Sequence, residues 1–448
     1  IPEAHQEVNS NEAVEEFLRL TENRKISVDS REINEGDVFL ALRGERIDGN
    51  DFVLDALNRG AAFVFTSRKF NDRRAIYCQD IKELLIKASR SLLARANFDK
   101  LVTITGSNGK TTTKEIAAFL LSKIGRTFKT EGNLNTEIGL PLSLLNGRRE
   151  FLFARFGVFE LGTNNKGDLE KLVSLLEPQI CVLLNVGSAH LGNFGNPEDL
   201  LKEKLSIFNS RRITTAITNG DDTRIREFVR NLECEKYFFG TGRCDFTLVD
   251  FSYDDRNTKV HFVSGGDKFV RLNGLWSAGQ IMDFGAAYLV AKNCGLDEPA
   301  LDISGLSLSF NDRFKVEKLH GMTLISDFYN SSLESWRSAV DSIKKIESKR
   351  KIAVVGSILE QGIHSGSTHM ELGKILGAFD EVLFFNVDRD IEMACGTVKP
   401  VLISEDEGVL ASWLKENTKK GDLIFFKASR GVFLERVFGK FMELIKDG

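Results

Sequence analysis

LVTITGSNGKTTT, residues 101–113, runs an apolar strand pattern straight into a glycine-rich turn. An amphipathic helix follows, with Ile116, Phe119, Leu120 and Ile124 at helical spacing. Strand, turn and helix in this order form a phosphate cradle. Gly106 and Gly109 let the backbone N–H groups of the turn, through Ser107 and Asn108, approach phosphate oxygens without an intervening Cβ. The helix start at Thr111 and Thr112 adds partial positive charge. Lys110 can reach the terminal phosphates, and the Thr111 hydroxyl can bind Mg²⁺. The general loop is GxxxxGK[ST]; here Ile104 stands at its first glycine, and the spacing is GxxGKT. The turn implies a nucleoside triphosphate. It does not separate a kinase, an ATPase and a ligase.

Working outward, strand-like runs alternate with helical stretches: FGVFEL, ICVLLNV and TTAITN follow the loop. This is the pattern of a mostly parallel sheet covered by helices. Before it, to about residue 84, lie short strand-like pieces (DVFLAL, AAFVFTS) and turn signals at Asp48-Gly49 and Arg59-Gly60. Beyond about Asn311 a second alternation begins: MTLISDF, SLESWRSAVDSIKKI, KIAVVGS, THMELGKILGAF, EVLFFNV and DLIFFKAS, then a final helix. The expectation is an α/β chain of three domains, 1–84, 85–310 and 311–448. A P-loop ATPase-like central sheet is flanked by a small N-terminal α/β domain and a C-terminal Rossmann-like one.

Composition agrees. The chain has 448 residues, 42% of them hydrophobic, which is enough to build cores and excludes global disorder. Its 60 Lys+Arg against 64 Asp+Glu leave a net charge of −4, so no basic excess points to nucleic acid. No apolar run reaches the ~20 residues that span a bilayer. The first ten residues, IPEAHQEVNS, lack the basic start and apolar core of a secretory signal. Six scattered cysteines fit reduced thiols in a cytoplasm.

Four segments lie in order in the central block: TGSNGKTTTKE, EGNLNTEIGLPLSLL, FELGTNNKGDL and NVGSAHLGNFGNPEDLLKEKLSIF. With VDSREINEGDVFLALRGERIDGNDFVLDALNRGAAFVF before them, and ISDFYNSSLESWRSAV, VVGSILEQG and KASRG after, they resemble the Mur ligase family over nearly the whole chain. The third-domain YN and KASRG are similar to the branch that adds D-alanyl-D-alanine. The resemblance implies an ATP-dependent amide ligase. ATP would phosphorylate the terminal carboxylate of a UDP-linked muramoyl tripeptide, and the dipeptide amine would open the acyl phosphate. Such chemistry needs cations near the phosphates and a space that excludes water. The partners implied are these small molecules, on a monomer in the cytoplasm.

The resemblance also assigns residues. Glu160, at the end of the strand FGVF, is placed to bind Mg²⁺, as a carboxylate there would be. His190, in GSAHLGNFG, becomes a ligand of a second Mg²⁺. Lys204, in DLLKEKLSIF, becomes a carbamylated lysine on that metal, although Lys202-Glu203-Lys204 taken alone reads as a solvated helix face. Carbamylation needs a neutral amine, hence burial or nearby cations. Asn133, Asn135 and Thr136 of GNLNTEIGLP suit sugar or peptide contacts; Asn and Gly also favour plain turns. Asp29, Ser30 and Arg31 match the segment that holds the UDP part, where a Ser hydroxyl and an Arg suit a diphosphate. Asn50 stands where the family commonly has His. Arg313 matches an arginine at the hinge into the third domain, able to reach ATP phosphates. Asp327 and Tyr329 would contact nucleotide, and Lys427, Ser429 and Arg430 the dipeptide or a carboxylate.

Three segments depart from the family. Tyr329-Asn330-Ser331-Ser332 replaces YNANPxS-like sequence, Gly356–Gly362 reads GSILEQG for GDMLELG, and Ser277–Asp283 reads SAGQIMD for an Asn-rich helix start. Gln280 and Asp283 keep hydrogen-bonding capacity toward a base. Two alternatives stand beside dipeptide addition: addition of the third amino acid, and a nucleotide-binding homologue with weakened catalysis.

Overall fold

The computed structural model describes residues 11–44, 47–187, 191–297, 303, 305–306 and 313–446. Three sheets organise them. The first has four short parallel strands, in the order Ile26–Ser27, Val38–Leu40, Phe63–Thr66, Ala75–Tyr77. The helix Asn11–Leu20 covers it, with Phe17 edge-on to Phe65 at 4.9 Å. The division expected after residue 84 falls inside the continuous helix Ile81–Arg95, which Asp80 caps by accepting from the Glu83 N–H at 2.8 Å. We place the change of domain after that helix.

This first unit is not loosely tethered. Its edge strand meets Asn146 of the central domain, whose amide donates to Ile26 O at 2.9 Å and accepts from Ile26 N–H at 2.7 Å. The Asn146 side chain thus satisfies backbone groups that an edge strand would leave open.

The central sheet has nine strands. Its parallel part contains Lys100–Thr105 between Phe156–Glu160 and Ile180–Leu183. Val102, Ile104, Val158, Ile180 and Val182 are buried, as expected where helices cover both faces. The strands Phe246–Tyr253, Asn257–Val263 and Asp267–Asn273 extend it as an antiparallel meander, which the apolar-run reading missed. Their side chains alternate: Val260 and Phe262 point inward while Lys259 is exposed. The helix Ala278–Asn293 is buried on nearly every side and packs along the phosphate-loop helix Lys110–Ser122.

The third sheet runs Lys315–Leu319, Met322–Asp327, Asp422–Lys427, Arg350–Val355, Glu381–Phe385, Leu402–Ser404; only its first pair is antiparallel. Its helix Leu333–Lys344 docks on the central domain. Ser342 Oγ accepts from the Ala278 N–H and Ser338 Oγ from the Gly279 N–H, both at 2.8 Å. Orphan donors at the start of one helix are satisfied from the other domain. The C-terminal ends of the parallel strands in both sheets open into one cleft between these domains, where open α/β sheets bind ligands.

Candidate active site

That cleft has a volume of about 1020 Å³. The phosphate loop forms its floor. Gly109 has φ +85°, and a Cβ built there would lie 2.1 Å from Asp283 Oδ1, so only glycine fits. Asn185, just beyond the strand Ile180–Leu183, pins the loop from the side. Its Oδ1 accepts from the Asn108 N–H at 2.9 Å, and its Nδ2 donates to Asn108 O at 3.1 Å. The Asn108 side chain then donates to Ser332 Oγ of the third domain at 3.1 Å. Ser332 is also the N-cap of the docking helix, accepting from the Ser335 N–H at 3.2 Å.

Two lysines follow on one helix face, four residues apart. Half-buried Lys110 donates to Gly106 O at 2.9 Å and to Ser107 O at 3.3 Å. Burial lowers its pKa, and the nearby Arg313 adds to this. Lys114 is fully buried and donates to Thr130 O at 2.7 Å and Gly132 O at 3.1 Å. It thereby holds the turn that carries Asn133 and Asn135. Sequence reasoning passed over Lys114; its spacing from Lys110 was the available signal.

Glu160 is buried at the centre of this group. Its Oε2 accepts from the Thr111 hydroxyl at 2.8 Å, its Oε1 from Asn135 Nδ2 at 2.8 Å, and Lys114 Nζ lies 3.9 Å away. Thr111, Glu160 and Asn135 are therefore one hydrogen-bonded set. Asn133 and Thr136 line the same wall.

Lys204 corrects the solvated-face reading of its helix. It is 2% exposed, and Glu203 beside it is buried as well. Glu203 accepts from Thr163 Oγ1 at 2.8 Å and from the Gly167 and Leu169 N–H groups at 2.7 and 2.9 Å, which fixes the turn after Glu160. Among the described residues Lys204 Nζ reaches only Gly106 O, at 3.4 Å. Burial first, then the charge of Lys110, brings its pKa down to about 7. His190 lies outside the described residues.

The third domain supplies the opposite wall. Arg313 and Arg430 both lie over the ring of Tyr329, at 4.0 and 5.5 Å from its centroid. Lys427, fully buried, donates to Asp327 Oδ2 at 2.5 Å and Asn330 O at 3.1 Å, so each is already occupied by the other. Ser429 Oγ accepts from the Leu359 N–H at 3.0 Å. Gln280 spends its amide on structure: it accepts from the Ser277 N–H at 2.8 Å and donates to Arg313 O at 3.3 Å. Asp283 is buried beside the loop, and burial raises its pKa well above the carboxylate range despite Arg313 and Lys110.

One expected group stays apart. Asp29, Ser30 and Arg31 do not line the cleft. Asp29 caps a short 3₁₀ turn, accepting from the Arg31 N–H at 3.0 Å, and pairs with the Arg31 guanidinium at 2.6 Å. That pairing lowers the Asp29 pKa to about 2. Asn50 is a buried tether that accepts from the Thr66 hydroxyl at 2.7 Å and the Ser67 N–H at 3.0 Å, and donates to Ser67 Oγ at 3.0 Å. Asp48 Oδ1 takes the second amide proton at 2.6 Å, so both donors and the oxygen of Asn50 are already engaged.

Known proteins share these features over most of the chain. Residues 23–97 match the Mur ligase family catalytic domain, 104–275 the Mur ligase middle domain, and 312–430 the Mur ligase glutamate ligase domain. The UDP-N-acetylmuramoyl-tripeptide–D-alanyl-D-alanine ligase of Bacillus subtilis is 29% identical over 93% of both chains. That of a Synechocystis species is 30% identical over 93% of this chain and 91% of its own. The crystal structure of the MurF ligase from Thermotoga maritima in complex with ADP superposes with a TM-score of 0.86, at 35% identity, covering 96% of this chain and 99% of that one.

Proposed function

The chain belongs to the Mur ligase family, and on that premise we propose that it joins D-alanyl-D-alanine to a UDP-N-acetylmuramoyl tripeptide using ATP. It is an ATP-dependent ligase of peptidoglycan precursor synthesis. Relatives named for dipeptide addition, at 29–35% identity, carry this reading over addition of the third amino acid. The observation that supports it best is the convergence of phosphate loop, Glu160, Lys204 and third-domain wall on one cleft.

The reaction is phosphoryl transfer from ATP to the tripeptide carboxylate, then attack by the dipeptide amine. Amide, ADP and phosphate result. Lys110 rests on two neutral carbonyl acceptors, which a charged phosphate oxygen outcompetes. Asn185 already takes the Ser107 and Asn108 N–H groups, so the backbone N–H groups from Gly109 to Thr112 receive the remaining phosphate oxygens. Arg313 approaches from the hinge with a cation that burial in a closed cleft strengthens. Asn133, Asn135 and Thr136 orient the acceptor carboxylate. Asp327 and Tyr329 flank the nucleotide, while Gln280 holds the start of its helix and Asp283 backs the phosphate loop at Gly109. Lys427, Ser429 and Arg430 form the dipeptide wall. The first domain, through Asp29, Ser30 and Arg31, takes the UDP end; Arg31 there exchanges Asp29 for a diphosphate.

Magnesium fits the donors present. Among the described residues no three His, Cys, Asp or Glu form a metal cluster. Mg²⁺ prefers one or two protein oxygens together with phosphates and water. Thr111 and Glu160 offer such a pair. When bound, the ion neutralises phosphate charge. Lys204, with an amine that is partly neutral near pH 7, suits carbamylation, which would turn it into an anionic ligand of a second Mg²⁺ together with His190. We assign the activity to the cytoplasm, in keeping with six cysteines that form no disulfide. No helix among the described residues is long and apolar enough to cross a membrane. We read the enzyme as a monomer.

The test is phosphate release with acceptor and dipeptide varied independently. Release only with UDP-muramoyl tripeptide, D-alanyl-D-alanine, ATP and Mg²⁺ all present supports the assignment. Nucleotide binding without release for any acceptor combination would instead identify a catalytically weakened homologue.

A further inference from the structure

We propose that Glu360 is a specificity-determining residue that receives the ammonium group of the incoming dipeptide. The proposal rests on the ligase reading above and deepens it at the third-domain wall.

Backbone strain is the starting observation. Among the described residues seven non-glycines have positive φ, and two of these, Phe314 and Glu360, line the cleft. Phe314 has an evident reason: its side chain is buried in the third-domain core, 6.2 Å from the Phe425 ring. Glu360, at φ +63°, is exposed on the cleft wall, so no core packing accounts for its conformation. Glutamate lacks the short side chain that lets Asn and Asp tolerate this region. Such strain persists only where the surroundings over-determine it, and it clusters at ligand sites.

The surroundings do over-determine it. The Ile358 N–H donates to Nε2 of buried His369 at 3.0 Å, and His369 Nδ1 in turn donates to Ser365 O at 2.9 Å. Ser357 Oγ donates to Asp388 at 2.8 Å. On the other side the turn is stitched to the loop that carries Arg430. The Gly356 N–H donates to Lys427 O and the Ser429 N–H to Ser357 O, both at 3.1 Å, and the Leu359 N–H donates to Ser429 Oγ. Glu360 and Arg430 therefore occupy two joined turns on one wall of the cleft. This wall carries an anion and a cation on its two joined turns. A free dipeptide is a zwitterion and meets both charges, with its carboxylate toward Arg430 and its ammonium toward Glu360. ATP, a polyanion, gains nothing from the carboxylate.

The test compares wild type with Glu360→Gln and Glu360→Gly in the phosphate-release assay. Glu360→Gln is expected to raise KM for D-alanyl-D-alanine about tenfold or more, since a charge-assisted contact is lost. KM for ATP should stay within about twofold. N-acetyl-D-alanyl-D-alanine, which has no ammonium, should inhibit both proteins equally. Glu360→Gly relieves the backbone, so its melting temperature should equal or exceed that of wild type while the dipeptide KM still rises. An unchanged dipeptide KM in either variant would overturn the proposal. So would a KM rising equally for ATP and dipeptide, or an acetylated dipeptide that loses as much affinity as the free one. Absence of dipeptide turnover in wild type would overturn the parent reading, and this one with it.

Discussion

The phosphate loop and the Asp29–Arg31 turn both carry charge expected to meet phosphates, yet they are built in opposite ways. At the turn, Arg31 is 82% exposed and already paired with Asp29 two residues away. At the loop, among the described residues, Lys204 is buried without a carboxylate in hydrogen-bonding reach, and Lys110 rests on carbonyls alone. A surface pair costs little to form and contributes little. A buried cation without an anion is costly unless something else supplies the charge. The loop is thus incomplete without an anion, and the turn is complete as it stands.

Variants can break this contrast. The largest effect is expected for Lys110→Ala, with turnover falling about a thousandfold, as when a main transition-state donor is removed. The melting temperature should stay near that of wild type. Turnover of the wild-type order would refute the loop's role.

Lys204→Ala should lose about a hundredfold in kcat, and a short carboxylic acid should restore part of it by standing in for a carbamate. Failure of every small acid to restore activity would count against the carbamate. Lys204 also gives a pH signature. Its folded pKa is about 7, below the 10.5 of a free lysine. Below pH 7 both folded and unfolded states hold the proton, and the folded state bears the full penalty of a buried ammonium. Between pH 7 and 10.5 the unfolded state binds more protons, so stability rises with pH. Measured in CO₂-depleted buffer, wild type should gain melting temperature relative to Lys204→Met from pH 7 to 9. A constant difference would contradict the buried cation.

Asn108→Ala removes the bond to Ser332 between domains, while its backbone bonds to Asn185 remain. A loss of about tenfold in kcat/KM is expected, about the value of one hydrogen bond. The smallest effect belongs to Arg31→Ala: stability within about 0.5 kcal/mol of wild type, and KM for the UDP substrate raised a fewfold. A large loss of stability there would erase the distinction between the two regions.

How much of this was legible follows from distance along the chain. The phosphate loop was readable because strand, glycines, Lys110 and Thr111 are contiguous. Glu160 stood out only in part: its strand-end place made it one candidate carboxylate, and the family resemblance singled it out. Lys204 was not readable from pattern alone, since a Lys-Glu-Lys run looks solvated until the tertiary fold buries it; only the family resemblance marked it. Asn185 and Ser332 escaped because their loop partners lie 77 and 224 residues away in sequence. The meander over Phe246–Asn273 escaped because its strands alternate inward and outward and give no continuous apolar run. The backbone of Glu360 was invisible for another reason: its φ is imposed by His369 and Ser429, not by its own residue type.

The central claim is that this cleft activates a carboxylate as an acyl phosphate before an amine opens it. The most direct measurement uses a UDP-muramoyl tripeptide labelled with ¹⁸O in its terminal carboxylate, and mass analysis of the phosphate released during dipeptide addition. The account predicts one carboxylate oxygen carried into each phosphate; phosphate free of label, formed while amide accumulates, would contradict it.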